Sequence, residues 1–306
     1  MKGEIKPADR LFEAHRSQLQ AVGYRMLGTI SEAEDVVQDG YIKWARHWHK
    51  QDRESIQNPR AFLISMVSRL CLDRLRRRRL ERHHYVGPWL PEPLPTEVAT
   101  ETATEITTKD NPVDQIALLE SINTGLLLIL ESLSPLERAV FTLYEAFDYS
   151  HAEIAALLDI TLAHSRQLLH RARRTMGGKA LDSNPGGEEV KPLVEAFYLA
   201  ASQGDMQSLT RLLCDDVIAY SDGGGKASAA LIPLQGKDRV ITVFGHLIRR
   251  SAPNTSFRWQ AVNGQRGLVI EENGVPQSVA TFDLLDGRIH RMYVMRNPDK
   301  LSAFLS

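Results

Sequence analysis

Apolar residues recur every three or four positions along most of the first 180 residues, a spacing typical of amphipathic helices. In the first segment, about residues 9–82, Ser31 followed by Glu34 predicts a capping-box helix start, and Asn58-Pro59 predicts another start. The helix that begins there ends in the run Arg76–Arg79. The apolar stripes of this segment are Leu19, Val22 and Met26; Val36, Val37, Tyr41, Trp44 and Trp48; and Phe62, Leu63, Met66, Val67 and Leu70.

A second helical segment covers about residues 113–180. Ser134-Pro135-Leu136-Glu137 supplies an N-cap, a first-turn proline and an early acid, so it predicts a helix start. His151–Leu158, a turn at Asp159–Thr161 and Leu162–Met176 predict a helix-turn-helix. An earlier helix is lined by Ile116, Leu119, Ile122, Leu126 and Leu130, and the last helix is expected to pack through Leu162, Ser165, Leu169, Ala172 and Met176.

Between these segments lies a linker, about residues 83–112, that is rich in proline and then in threonine and glutamate. Prolines this dense disfavour helix, and the Thr/Glu part has too little apolar surface to pack alone. Trp89, Leu90 and Leu94 nevertheless stand among these prolines. Because a plain solvated linker rarely offers apolar side chains on a stiff segment, docking of Trp89–Pro95 onto another surface is favoured.

The pattern changes after residue 187. Residues 188–213 and 237–250 have helical spacing, whereas from Thr255 apolar and polar residues alternate with the period of a strand. Turn pairs at Asn263-Gly264, Asn273-Gly274 and Asp286-Gly287 predict hairpins. The chain is therefore predicted to be multidomain: two all-α modules at 1–82 and 113–180, the second with the helix-turn-helix, joined by the 83–112 linker, then an α+β domain at 188–306.

The net charge of the 306 residues is only −1, but the charges are unevenly distributed. Residues 1–90 carry 17 Lys/Arg against 11 Asp/Glu, residues 91–133 carry 1 against 8, and residues 161–180 carry 5 against none. Clusters of one sign create local fields, so both helical modules are candidates for nucleic-acid binding. Cys71 and Cys214 form no metal-ligand or disulfide pattern, and without an apolar leader they favour a reducing cytoplasm.

The helix at 162–176 has a cationic, amide-bearing side opposite its apolar side. Arginine can pair with guanine edges or phosphates and glutamine can reach adenine, so this helix is predicted to enter the major groove. A solvated basic helix in a bundle is the alternative. The DNA-binding candidates are Arg166, Gln167, His170, Arg171, Arg173 and Arg174.

A second basic cluster, Arg74 with Arg76–Arg79, ends the earlier helix. Five arginines in six residues repel one another unless an anion is near, so phosphate contact is favoured over a merely exposed basic face.

Two other polar clusters resemble ligand sites only loosely. The acidic residues near position 35 lack the spacing of a hard-cation loop and lie near a helix start, where acids interact favourably with the helix dipole. Asp222-Gly-Gly-Gly-Lys226 lacks the Gly-x4-Gly-Lys-Ser/Thr form of a phosphate loop, so a flexible loop presenting Asp222 and Lys226 to a partner is favoured. No nucleophile triad is evident, and the chain is predicted to be non-enzymatic, with no metal and no cofactor. The acidic residues are Glu32, Glu34, Asp35 and Asp39.

Three stretches together resemble extracytoplasmic-function (ECF) sigma factors. Residues 27–44 resemble the region that binds core RNA polymerase, residues 58–77 resemble the helix that melts and reads the minus-ten element, and residues 133–138 with 170–174 resemble the module that reads minus-thirty-five. The resemblance implies the polymerase β and β′ subunits and promoter DNA as partners. It also implies polymerase-binding residues Asp35, Gln38, Asp39 and Trp44, and minus-ten residues Arg69, Asp73, Arg74, Arg76 and Arg77. For Trp44, which lies on an apolar stripe, core packing is the alternative.

The remainder resembles the subgroup of that family with a fused SnoaL-like domain, on the motifs at 89–95, 222–226 and 297–301. The resemblance implies a cone-shaped α+β fold that regulates the sigma modules in cis, without a separate anti-sigma factor. The residues implied in this regulation are Trp89, Leu90, Pro91, Pro93, Leu94, Asp222, Gly223, Gly224, Lys226, Asn297, Pro298 and Asp299. We expect Trp89–Pro95 to dock near Asp222–Lys226, with Trp89 as the buried anchor and the separation of the two DNA modules fixed as a result.

The competing interpretation makes the C-terminal domain an isomerase-like or hydrolase-like enzyme, or a sensor of a small ligand. Cones of this kind often hold an apolar pocket with an acid–base pair, as in ketosteroid isomerase. Candidates for lining such a pocket are Trp259, Asp283, His290 and Tyr293. Strand alternation puts His290 and Tyr293 on opposite faces, so their convergence would need a bulge. A repressor that works without polymerase is disfavoured, because it would not need the motif at 31–48.

Overall fold

The structure, a computed structural model, describes residues 7–50, 56, 58–81, 85–96, 123–177, 184–185, 187 and 189–305. These residues form two compact units. The first contains residues 7–81 and 129–177, and the second contains residues 85–96, 123–128 and 184–305. The expected helix residues Ile116, Leu119 and Ile122, the linker beyond Thr96, and the side chain of Arg79 lie outside the described residues.

The described part of the first unit is helical. Its helices are α1 Pro7–Glu13, α2 Arg16–Leu27, α3 Ile30–Lys50, α4 Pro59–Glu81, the last two residues of α5 Thr124–Leu130, then α6 Pro135–Glu145, α7 His151–Leu158 and α8 Leu162–Met176. The helix-turn-helix bounds agree with the prediction, because capping side chains set them locally: Ser150 accepts from the amide of Glu153, and Thr161 accepts from that of His164. Asp159 between the two helices has φ 56°, the left-handed conformation that ends a helix.

One predicted helix start is wrong and two are confirmed. α3 begins at Ile30, because the carbonyl of Thr29 accepts the first helical hydrogen bond and its hydroxyl donates to Glu32 at 2.7 Å. Ser31 therefore lies inside the first turn and does not cap it. The starts of α4 and α6 are as predicted, with Asn58 accepting from the amide of Ala61 and a capping box at Ser134.

The helices of residues 7–81 and those of residues 135–176 share one hydrophobic core in the first unit. Arg138 of α6 is buried and donates to the carbonyl of Arg25 in α2 at 3.1 Å, and Ser65 of α4 donates to the carbonyl of Leu157 in α7 at 2.7 Å. Such charge-assisted and buried hydrogen bonds orient the helices as well as stabilising them. The core includes Phe12, Leu19, Val22, Met26, Val37, Trp44, Leu63, Val67, Val140, Leu143, Ile154 and Leu168.

The second unit is α+β, as predicted. Its helices are α9 Val190–Gln203, α10 Met206–Leu212 and α11 Lys237–Arg249, and its strands are β1 Pro95–Thr96, β2 Asn184–Pro185, β3 Leu213–Asp222, β4 Leu234–Gln235, β5 Thr255–Val262, β6 Gln265–Glu272, β7 Val275–Leu285 and β8 Arg288–Met295. In the described part, the strand order is β1-β5-β6-β7-β8-β3-β4, with β2 also paired to β7. The hairpin turns at Asn263-Gly264, Asn273-Gly274 and Asp286-Gly287 have positive φ at both residues, which confirms the three predicted turns.

Strand β3 was not predicted, and it pairs in parallel with β8. Alternation along the strands gives the sheet two faces. The cavity face carries Ala280, Phe282, Met292 and Val294 and packs in one core with residues of α9, α10 and α11. The linker-binding face carries Val279, Tyr293 and Met295 and forms a second cluster with Leu301 and Phe304.

Candidate nucleic-acid interface and linker-binding site

The second helix of the helix-turn-helix, α8, has a buried and an exposed side. Ser165, Leu169, Ala172 and Met176 are buried as predicted, and so is Leu168. Leu162, which was expected to pack, is 42% exposed, because it stands at the first position of the helix, before the packed side begins. The remaining surface of α8 is free of acidic residues.

The six DNA-binding candidates of α8 differ in their partners. Arg166, Gln167, His170 and Arg174 are exposed. Arg173 donates twice to Glu145, at 2.7 and 3.0 Å, and Arg171 is half-buried with its Nε 3.6 Å from Glu137. The Arg173–Glu145 pair is exposed, and exposed ion pairs contribute only about 0–1 kcal/mol, so a phosphate can compete for that arginine.

The arginines at the end of α4 do not form one anion-binding cluster. Arg76 and Arg77 are exposed, although Arg76 lies 3.3 Å from the exposed carboxylate of Asp73. Arg74 binds Asp35 at 2.9 Å. Arg78 is mostly buried and donates to Glu32 at 2.8 Å and to the carbonyl of Leu27 at 2.6 Å. The expectation of phosphate contact is wrong for Arg78, because its guanidinium is used to hold α4 against the end of α2.

Two further candidates take part in packing. Arg69 donates to the carbonyl of Leu157 at 3.2 Å, so one of its nitrogens is engaged inside the unit. Trp44 is fully buried, donates its indole N–H to the carbonyl of Ala8 at 3.0 Å and contacts the ring of Trp48. The Trp44 side chain is therefore in the core packing that was the alternative, and is not exposed for a polymerase contact. The other three polymerase-binding candidates, Asp35, Gln38 and Asp39, are exposed on α3.

In the second unit, Asp222 at the end of β3 is fully buried and binds the linker directly. Its carboxylate accepts from the Tyr85 hydroxyl at 2.6 Å, the Leu90 amide at 2.9 Å and the Lys300 ammonium at 2.7 Å. Burial and the bond to Asp222 raise the pKa of Tyr85, so the phenol remains a neutral donor. The sequence suggested a flexible loop that presents Asp222 to a partner. The structure instead buries Asp222 against residues 85–90 of the same chain.

Lys300 completes this site. Its buried ammonium donates to the carbonyl of Leu90 at 2.6 Å as well as to Asp222. It also lies 4.3 Å from the ring centroid of Trp89 and 5.2 Å from that of Tyr85, in cation–π geometry. The linker thus contributes both hydrogen bonds and aromatic faces to one buried positive charge.

Leu90, and not Trp89, is the buried apolar anchor. Leu90 is 1% exposed and belongs to the cluster of the linker-binding face, whereas Trp89 is half-buried and covers Lys300. Pro91 and Pro93 are buried too. The Leu94 amide donates to the side-chain oxygen of Asn263 at 3.1 Å, and the Leu94 carbonyl accepts from the Asn263 amide at 2.8 Å. The linker then continues as strand β1 along the edge of β5.

The glycines after Asp222 are required by close packing. A Cβ at Gly223 would overlap the carbonyl oxygen of Ala227, and Gly224 has φ 57° and lies against the side chain of Asn297. Lys226 forms an exposed pair with Asp299 at 2.5 Å. The amide of Gly224 donates to Asp222, and those of Lys226 and Ala227 donate to Gly223, so this loop is not a phosphate cradle. Asn297 caps a short 3-10 helix that begins at Pro298. The side-chain amide of Asn297 also donates to the hydroxyl of Tyr85.

Comparisons with known proteins agree with this arrangement. Residues 11–81 match the Sigma-70 region 2 family model and residues 125–176 match the Sigma-70 region 4 model. The chain is 31% identical, over 95% of its length and 92% of the relative, to the ECF RNA polymerase sigma factor SigJ of Mycobacterium tuberculosis. This chain belongs to the ECF RNA polymerase sigma factors.

Other members support the same domain composition. The crystal structure of M. tuberculosis SigJ superposes with a TM-score of 0.72 at 30% identity, covering 95% of this sigma factor and 97% of that chain. The probable ECF sigma factor SigI of M. tuberculosis is 29% identical over 96% of this chain and 95% of its own. Since the superposition on SigJ includes the C-terminal domain, the architecture of regions 2 and 4 followed by an α+β domain is common to this sigma factor and SigJ. In the described part of this sigma factor, no helix is long and apolar enough to cross a bilayer.

The C-terminal domain also contains an apolar cavity of about 320 Å³ on its cavity face. Asp283 and Tyr293 lie on the linker-binding face, and neither they nor Trp259 and His290 line the cavity. A register irregularity between Asp283 and Leu284 is the bulge that His290 would need, but His290 approaches Asp216 at 3.5 Å and not Tyr293. The lining residues include Phe197, Tyr198, Phe244, Leu247, Phe257, Ile270, Phe282 and Met292.

Sequence reasoning missed Tyr85 and Lys300 as binding residues. Lys300 stood inside a recognised motif, but a lysine is expected at the surface, and nothing local indicates that it is buried. Tyr85 lies in a polar stretch before the prolines. Both become identifiable only when β3 and β8 bring Asp222 and the chain after Met295 together.

Proposed function

We propose that this sigma factor directs RNA polymerase to promoters through regions 2 and 4, and that its C-terminal domain controls in cis the linker between those regions. The exposed carboxylates of Asp35 and Asp39, with Gln38, are the contacts for the β and β′ subunits. Exposed Arg76 and Arg77 meet the minus-ten region, and the outer side of α8 meets the upstream element. The family assignment supports the first part of this proposal, and the buried contacts of Asp222 with the linker support the second.

The DNA-reading steps need binding energy and no covalent chemistry. Arginine contacts with phosphates release counterions and supply affinity, whereas base-edge contacts from Gln167 and Arg166 supply sequence preference. Melting costs base stacking, and capture of flipped bases by region 2 offsets that cost. The protein is on this view a transcription initiation factor and not an enzyme.

The linker site can control region 4 because the linker is stiff. Proline-rich segments have few conformations to lose on docking, so the hydrogen bonds to Asp222 and Lys300 are not offset by a large entropy cost. A linker held from Tyr85 to Thr96 has a defined path across the sheet. Regions 2 and 4 read promoter elements at a set spacing, so a fixed path restricts the spacings that can be used.

The test is a pair of matched lysine substitutions in the full chain. Lys300→Met removes the buried ammonium that joins Asp222 to Leu90, whereas Lys226→Met removes an exposed partner of Asp299. Run-off transcription with core polymerase is measured on promoters whose spacer between the two elements is varied base by base.

We expect Lys300→Met to broaden or shift the range of active spacers and Lys226→Met to leave it as in the parent. Identical profiles for all three proteins would show that the linker site does not control spacing. Absence of run-off product from the parent on every promoter would contradict the sigma-factor activity itself.

A second candidate function is binding of a small apolar ligand in the C-terminal domain. The cavity of about 320 Å³ and its aromatic lining favour it. Asp283, His290 and Tyr293 do not line the cavity, so the catalytic arrangement expected from the sequence is disfavoured. Ala280→Trp would fill the cavity from β7. A stabilising shift of the melting temperature by decanoate in the parent, lost in Ala280→Trp, would support this function, and no shift in either protein would argue against it for such ligands.

A further inference from the structure

A second segment of the chain lies on the linker-binding face, at a distance in sequence from the first. It consists of residues 123–128, which form the start of α5 and belong to the C-terminal unit. Thr124 and Gly125 are buried there. The hydroxyl of Thr281 in β7 donates to the hydroxyl of Thr124 at 3.1 Å, in a buried position.

The backbone of Gly125 sits against a buried polar pair. Tyr293 donates its hydroxyl to Asp283 at 2.7 Å, and each residue is 2% exposed. A Cβ on Gly125 would lie 2.8 Å from the Asp283 carboxylate oxygen and 2.8 Å from the Tyr293 oxygen. Real Cβ contacts are longer than this, so the glycine allows an approach that no other residue permits without displacement.

Apolar packing adds to this contact. Leu128, one turn further along α5, packs on the cluster that contains Leu90, Val279 and Tyr293. The two chain segments thus share one apolar cluster, but their polar partners are different. The first segment binds Asp222 and Lys300, and the second binds Thr281 and contacts the Asp283–Tyr293 pair.

We propose that the Asp283–Tyr293 pair is a docking site for the first turn of region 4, so that the C-terminal domain holds both ends of residues 97–122. The proposal deepens the control in cis proposed above and rests on it for its role in transcription. The first site fixes the chain as far as Thr96, and the second fixes it again from Asn123. The position of the first turn of region 4 on the C-terminal domain is then set by this second contact and not by the length of the segment between the two sites.

This assignment also accounts for a pair that resembles enzyme chemistry. A carboxylate and a phenol 2.7 Å apart in a buried site could act as acid and base only if a substrate could reach them. Gly125 and Thr124 occupy the approach instead. The pair is therefore used to bind the chain's own helix.

The test uses two glycine-to-alanine substitutions within helices of the full chain. Gly125→Ala places a methyl group against the pair, whereas Gly245→Ala in α11 meets only the flexible end of Arg249. Hydrogen exchange is measured for the amides of α5 and of β7. We expect Gly125→Ala to speed exchange in both segments about tenfold, which corresponds to about 1.4 kcal/mol, and Gly245→Ala to change neither.

A second background shows whether the pair is the cause. Asp283→Ala with Tyr293→Phe removes both partners of this hydrogen bond together and makes room for a methyl. In this background, Gly125→Ala should accelerate the exchange of the α5 and β7 amides only slightly further. Unchanged exchange in Gly125→Ala, or an equal acceleration in both backgrounds, would overturn the docking site. If Gly125→Ala does not fold, Thr281→Val replaces it, with about fivefold faster exchange of α5 expected and no change as the contrary result.

The outcome is separable from that of the proposed function. The exchange experiment needs no polymerase, so coupling between Gly125 and the pair can be present while Lys300→Met leaves promoter spacing unchanged. In that case the docking site stands and the control of spacing fails. The converse result, altered spacing without coupling at Gly125, leaves one docking site only.

Discussion

The cavity face of the C-terminal sheet encloses an apolar pocket, whereas the opposite face carries the charged and hydroxyl groups that bind the chain's own segments. On the cavity face the inward residues of β7 and β8 include Ser278, Ala280, Phe282, Met292 and Val294. On the other face the neighbours of these residues are Thr281, Asp283 and Tyr293, with Asp222 on β3. The buried polar groups Asp222, Thr281, Asp283 and Tyr293 thus lie outside the pocket, where they contact the linker and the start of α5.

The comparison shows how strand alternation separates two functions within one sheet. Successive residues point to opposite faces, so one strand can line a cavity and bind a peptide without conflict. Changes on one face should therefore leave the other face's activity intact. The following predictions test how the linker-binding face holds the linker and whether it acts independently of the DNA-binding helix.

The largest effect is expected for the buried anchor of the linker. Leu90→Ala removes a fully buried side chain, and such truncations cost about 2–5 kcal/mol, whereas Trp89→Ala removes a half-buried ring whose cation–π contact is worth about 1 kcal/mol. Hydrogen exchange of the Leu94 amide, bonded to Asn263, measures the loss in each variant. A larger effect of Trp89→Ala would restore the tryptophan as the anchor.

An intermediate effect is expected at the DNA-binding helix. Arg174→Ala should reduce the slope of log affinity against log salt by about one, because one phosphate contact is lost. Lys300→Met should leave that slope unchanged, since its ammonium is buried in the C-terminal domain. Promoter-fragment binding at several salt concentrations gives both values. An equal reduction by the two variants would mean that the linker-binding face and the DNA-binding face are not independent.

The smallest effect concerns Tyr85. Its raised pKa means that the folded state favours the neutral phenol, so the stabilisation is complete below the ordinary tyrosine pKa of about 10 and is lost as pH rises through the folded value. Tyr85→Phe should cost about 1 kcal/mol at neutral pH. Phenolate absorbance in an alkaline titration should show one fewer late-titrating tyrosine in the variant, and an unchanged late phase would place Tyr85 in solvent.

Local signals in the sequence predicted the helical modules well, because helix caps and turns are determined by residues close together in the sequence. Ser150, Asp159 and Thr161 determine the helix-turn-helix bounds without help from distant parts of the chain. The three hairpin turns follow from Asn-Gly and Asp-Gly pairs in the same way.

Features that depend on distant pairing were not predictable. Strand β3 finds its partner β8 about 75 residues later, and parallel pairing leaves no hairpin signal. Trp44 and Arg78 carry side chains suited to partners, but packing between helices buries them. The roles of Asp283 and Tyr293 were assigned to a pocket because alternation does not tell which face is the pocket.

The contact between Leu90 and Lys300 spans 210 positions of the chain. At about 5–20 residues per second, a ribosome needs about 10–40 s to synthesise that interval. Regions 2 and 4 are both synthesised before the ammonium that completes the linker's binding site has been made. Each newly synthesised molecule therefore passes through a period in which its linker is not yet restrained, and the onset of restraint is timed by translation of the strand that precedes Lys300.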